Sequence, residues 1–137
     1  MTQAMITEEK AKAATTAKTN SLTWFEIPTS DLDRATAFYE KVMGAELRRE
    51  VFGYPLAMFP ANPDGVTGAL VAAPGRKPGP GGTMVYLNCC GDLDAAAGRV
   101  EAAGGTVLVP VTAVPGGFGR FSLIEDSEGN HVSLHSS

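Results

Sequence analysis

Two stretches of this chain open in the same way, and that repetition limits the fold more than any other feature. Asp31-Leu32-Asp33-Arg34-Ala35 and Asp92-Leu93-Asp94-Ala95-Ala96 are nearly superimposable as strings. Each follows an extended, strand-like run and leads into apolar residues at helical spacing. A period of about 60 residues in a chain of 137 residues leaves room for one domain built from two copies of a small unit. The 16 glycines and nine prolines punctuate short elements. Such residues break helices and close turns, so a bundle of long helices is excluded.

In the first copy, the run from Leu22 to Ser30 alternates. Trp24 and Glu26 fall on one face and Phe25 and Ile27 on the other, the pattern of a half-buried strand. Asp31 or Asp33 can cap a helix whose Leu32, Ala35, Phe38, Tyr39 and Val42 share a face, and Gly44 closes it. Three strands follow, at 46–52, 55–60 and 65–72, divided by Gly53-Tyr54-Pro55 and Asn62-Pro63-Asp64-Gly65. The same order returns after residue 82: a strand at 83–89, a helix with Leu93, Ala96, Ala97 and Val100 inward, and three more strands. The expected fold is α+β, two βαβββ modules at about 21–73 and 83–137, joined by the linker 74–82. Each helix can cover only one face of its sheet, so the other face needs a second layer or a ligand-lined concavity.

Residues 1–20 read as an arm, expected to be helical around Thr7 to Lys18 and held, if ordered, by a partner subunit. No stretch has the apolar core of a secretory signal or the roughly 20 apolar residues of a membrane span. Lys+Arg is 11 and Asp+Glu is 15, a formal charge of −4. That balance argues against nucleic acid and anionic membrane as partners, because phosphate contacts need clustered cations. Cys89 and Cys90 are the only cysteines and are adjacent, a spacing that strains a disulfide. Free thiols point to a reducing, cytoplasmic setting.

WFEIPTSDLDRATAFYEKVMG, MFPANPDGVTGALV, VYLN with DLDAAAGRVEAAGG, and GFGRFSLIEDSEGNHVSLHS together resemble the vicinal oxygen chelate superfamily. That superfamily includes glyoxalase I, bleomycin- and fosfomycin-resistance proteins and extradiol dioxygenases. The similarity is greatest to its small bacterial glyoxalase/bleomycin resistance/dioxygenase-like members. It implies paired modules whose curled mixed sheets surround a cleft. In metal-dependent members, the first and last strand of each module supplies a His, Gln or Glu ligand. Carried onto this chain, those positions fall on Trp24, within Thr67 to Leu70, within Met84 to Tyr86, and on Ser133. None offers a good ligand, so no metal ligand and no cofactor are expected. A displaced site using Glu26 and His135 for Zn, Ni, Fe or Mn is the disfavoured alternative, and would make the chain a lyase, isomerase or dioxygenase.

Alternation places Trp24, Glu26, Met58, Tyr86, Asn88, Ser133 and His135 on the cleft side, with Tyr54 and Phe118 near its mouth. Aromatic walls with convergent polar groups suit a small, partly aromatic molecule. Glu26 and His135 are the candidate catalytic pair, because a carboxylate facing an imidazole fixes its tautomer and raises its basicity. Glu26 alone could serve instead as counter-ion to a cationic ligand. Exposed sheet faces favour a homodimer, and a non-catalytic, drug-sequestering dimer is the reading that needs no chemistry at all.

Overall fold

The computed structural model describes residues 20–137, so the expected helix around Thr7 to Lys18 lies outside the described residues. The chain folds as β1 (Trp24–Pro28), α1 (Leu32–Met43), β2 (Arg48–Val51), β3 (Pro55–Met58) and β4 (Thr67–Val71). After the linker come β5 (Tyr86–Asn88), α2 (Leu93–Ala103), β6 (Thr106–Ala113), β7 (Arg120–Glu125) and β8 (His131–Ser136). The strands form two four-stranded mixed sheets, ordered β1-β4-β3-β2 and β5-β8-β7-β6. The topology is the same in both, which is the repeat seen as structure. In each, the first strand pairs parallel with the last, with Glu26 opposite Ala69 and Asn88 opposite His135. No helix is long and apolar enough to cross a membrane among the described residues.

The repeated Asp-Leu-Asp string starts a helix each time, but its first aspartate acts differently in the two modules. Asp31 caps α1, its carboxylate accepting the Arg34 N–H at 3.0 Å, and Gly44 closes the helix in the left-handed conformation. Asp92 makes no side-chain cap; its carboxylate turns to Arg99 at 2.9 Å. The Arg99 guanidinium in turn donates to the carbonyl of Val42 at the end of α1, which fastens the two helices together.

One continuous core holds the molecule. Ile27, Ala57 and Leu70 from the first sheet, Leu87, Ile124 and Leu134 from the second, and the buried faces of both helices belong to it. The two helices pack on each other, and strands of both sheets contribute side chains to the shared core. At full burial, Tyr39 donates to Asp126 at 2.6 Å, joining α1 to the β7–β8 turn. Gly68 is demanded by packing: a Cβ there would sit 2.2 Å from the Phe25 carbonyl oxygen and 2.5 Å from its ring.

Candidate functional site

The face of the first sheet turned away from the core gathers the first group of expected site residues. Trp24 and Glu26 project on the same side of β1 by simple alternation, in register with Thr67 and Ala69 of β4. Met58 lies beside Ala69 on β3, and Tyr54 reaches the same face from the β2–β3 turn, where Gly53 takes a positive φ. Beneath them Leu56, Ala69 and Val71 are buried as a separate small cluster.

Glu26 is the hub of this face. Its carboxylate accepts from the Trp24 indole N–H at 3.2 Å, from the Tyr54 hydroxyl at 2.8 and 3.1 Å, and from Arg76 Nη1 at 2.7 Å. Burial alone would raise the Glu26 pKa, but the bonds from Tyr54, Trp24 and Arg76, with the charge of Arg76, outweigh it and hold the pKa below its ordinary value. The carboxylate is therefore an anion at neutral pH, a good counter-ion and a poor proton store. The same bond raises the Tyr54 hydroxyl, because Glu26 stabilises its protonated form. Arg76 completes the set from the linker, outside the residues that strand alternation singles out. It is delivered by the turn Ala73-Pro74-Gly75-Arg76, closed by Arg76 N–H to Ala73 C=O at 3.2 Å with Gly75 at positive φ. Pro-Gly at the centre of a turn was the available signal.

The second group lies on the corresponding face of the other sheet. Tyr86 and His135 meet edge to face, with ring centroids 6.3 Å apart. Together with Val114, Phe118 and Phe121 they line an open concavity of about 330 Å³. His135 Nε2 lies 2.7 Å from the Phe118 carbonyl oxygen. Ser133 is buried and within 3.3 Å of the Ser122 carbonyl, and the Asn88 side chain accepts the Cys90 N–H at 2.8 Å. These two side chains hold local backbone.

The expected pair of Glu26 and His135 is thus not brought together. β1 bonds to β4 and β8 to β5, so the two residues stand on different sheets and no hydrogen bond links them. The nine expected residues likewise divide between two faces. Trp24, Glu26, Tyr54 and Met58 are on the first, while Tyr86, Phe118 and His135 line the open concavity of the second.

The metal positions implied by the resemblance can be tested on donor chemistry. Trp24 offers an N–H that is already donated to Glu26, and the Thr67 hydroxyl is donated to the Phe59 carbonyl at 2.8 Å. Gly68 to Leu70 and Val85 offer no side-chain donor atom, Met84 and Tyr86 offer only a thioether and a phenol, and the Ser133 hydroxyl is buried against a carbonyl. Such a set does not fit a divalent cation, which takes imidazole, carboxylate or thiolate ligands. No group of three or more His, Cys, Asp and Glu side chains is placed to hold an ion among the described residues.

Two βαβββ modules thus share one core through their helices, and the first sheet bears a carboxylate–aromatic nest on its outer face. The sequence profile of the Glyoxalase/Bleomycin resistance protein/Dioxygenase superfamily matches residues 21–134, and the chain belongs to that superfamily. Among solved structures, it is similar to a glyoxalase/bleomycin resistance protein from Albidiferax ferrireducens. That match has 16% identity and a TM-score of 0.69, covering 86% of this chain and 100% of the other. A glyoxalase-related enzyme from Fulvimarina pelagi is similar at 21% identity and TM-score 0.63, covering 86% and 88%. The E144Q mutant of glyoxalase I from Zea mays is similar at 24% identity and TM-score 0.63, covering 84% of this chain and 46% of that one. At these identities the likeness is one of fold. No curated protein matches the chain.

Proposed function

We propose that this member of the superfamily binds a small, partly aromatic, cationic molecule at Glu26, without a metal, and does so as a homodimer in the cytoplasm. The observation that carries the reading is the Glu26 carboxylate, held ionised on a face framed by Trp24 and Tyr54. Of its three partners only Arg76 carries charge; it rides on the linker with its side chain 54% exposed. A ligand ammonium or amidinium can replace that guanidinium while its ring lies against the aromatic side chains.

The depressed pKa supports binding over general acid–base work, since such a carboxylate has no proton to give near neutrality and is a weakened base. Tyr86, 58% exposed, and Phe118, 70% exposed, leave the second sheet with an apolar face that a second copy can cover. In such a pair the Glu26 face of one chain can meet the Tyr86 and His135 face of its partner, which gives His135 a place in the site.

Trp24 is the only tryptophan, so its fluorescence reports on the face directly. Benzamidine should quench it saturably, with benzyl alcohol and benzoate binding at least about tenfold more weakly. Glu26→Gln should abolish that preference while changing stability by less than about 1 kcal/mol, as expected for a pair whose arginine is half exposed. Equal binding of the three probes, or a large loss of stability with unchanged benzamidine binding, would reduce Glu26 to a structural tie.

A further inference from the structure

A second concavity, of about 280 Å³, lies between the modules, away from Glu26. Phe25, Met43, Phe59, Leu87 and Ala96 form its apolar walls, drawn from both modules, and Cys90 stands in its lining. An apolar cavity of about 150 Å³ holds a benzene ring, so this one admits a ring with a substituent. The two thiols differ in availability. Cys89 is buried in the core, with its sulfur 3.9 Å from the Leu87 carbonyl, and burial pushes its pKa up. Cys90 is exposed and sits at φ 50°, a left-handed conformation rare for a residue with a side chain. Its N–H is clamped by the Asn88 side chain at 2.8 Å. Both cysteines line the concavity, and the turn leaves Cys90 the more exposed of the two.

We propose that this inter-module cavity is a second small-molecule site, taking an uncharged aromatic molecule that bears an α,β-unsaturated carbonyl, which Cys90 captures covalently. The lining explains the uncharged body: its one ionic side chain, Asp92, is paired with Arg99 at 2.9 Å, and a charge buried against the walls would lack a partner. In the reaction the Cys90 thiol gives its proton to solvent and its sulfur bonds the β-carbon. The π pair moves toward the carbonyl oxygen, and water returns a proton to the α-carbon. The net change is addition of S–H across C=C, with nothing oxidised or reduced. The site is independent of the Glu26 reading, since no residue is shared.

The test compares N-phenylmaleimide with N-methylmaleimide on the full chain, each rate divided by that of the same reagent with glutathione. The two reagents carry the same electrophile and differ in the ring. The corrected phenyl rate should exceed the methyl rate about tenfold or more, as burial of a ring in an apolar pocket implies. Peptide mass spectrometry should place the adduct on Cys90, and Cys90→Ser should remove it. Val66 lies in the lining and is 37% exposed, so Val66→Glu should erase the phenyl advantage while leaving the N-methylmaleimide rate unchanged. Equal corrected rates in the native chain, alkylation of Cys89 with Cys90 spared, or a phenyl advantage that survives Val66→Glu would overturn the proposal.

Discussion

Glu128 belongs to the turn between β7 and β8, yet it caps the helix of the other module. Its side chain is wholly buried and accepts the backbone N–H groups of Ser30 and Asp31 at 2.8 Å each, with Arg34 donating at 2.7 and 3.1 Å. Glu128→Ala removes these four bonds together with the one from the Ser127 hydroxyl at 3.1 Å. Bonds to a charged acceptor contribute about 1.5–3 kcal/mol and a lost helix cap costs about 1 kcal/mol. Ser30 and Asp31 are exposed, so water takes over at their amides and the expected loss is about 2 kcal/mol. In urea denaturation the midpoint should fall by about 1 M with the slope unchanged.

Glu128→Gln keeps an oxygen for the two amides but sets a neutral group against Arg34, and should lose about half as much. Burial raises the Glu128 pKa, but Arg34 and the Asp31 and Ser30 amides outweigh it and hold the folded value below 4.5. A carboxylate with a depressed folded pKa contributes stability above its unfolded value and loses it as pH falls through the folded one. The gap between native chain and Glu128→Gln should therefore be full at neutral pH and close progressively below about pH 4.5. An alanine variant within about 0.5 kcal/mol of the native chain, or a gap independent of pH, would refute the cross-module cap.

Tyr39→Phe should destabilise by about 1.5 kcal/mol in the same assay. The lower end of the range applies because Asp126 keeps the Asn130 side chain and the backbone N–H groups of Glu128 and Asn130. Gly68→Ala should lose about 3 kcal/mol, since the Phe25 carbonyl that its methyl meets at 2.2 Å is backbone and cannot swing aside. Gly79→Ala, with open space at its Cβ, should change stability by less than about 0.5 kcal/mol and serves as the control.

What the sequence disclosed was what near neighbours decide. The repeated Asp-Leu-Asp strings, Asp31 as a cap, Gly44 as a stop and the alternation of β1 are set by residues within a turn of one another. The order of elements followed from them, and with it the superfamily resemblance. Alternation also placed Trp24 and Glu26 on one face of β1, and the structure agrees. It assigns a residue to a side of its own strand, however, and is blind to which sheet that strand joins. Alternation alone therefore sets Glu26 and His135 on one cleft, whereas hydrogen bonding puts β1 with β4 and β8 with β5. Arg76 and Glu128 escaped notice because linkers and turns usually carry solvated charge. Each owes its role to a contact far along the chain, Arg76 to Glu26 and Glu128 to Ser30, Asp31 and Arg34.

The two modules have kept one topology and given their outer faces different chemistry. On the first sheet, Trp24, Tyr54 and Met58 close over Leu56, Ala69 and Val71 and leave an anion framed by donors. On the second, Tyr86 and Phe118 stay open beside an imidazole. The Trp24 and Tyr54 side chains around the anion give the first face aromatic surface that the Tyr86 and Phe118 shelf can cover. On the reading proposed above, a two-fold pair of chains then forms two equivalent sites, each with Glu26 from one chain and the open shelf from its partner. A ligand held between them binds the pair better than the separate chains. Ligand affinity and dimer stability become a single linked quantity, with each raising the other by the same free energy.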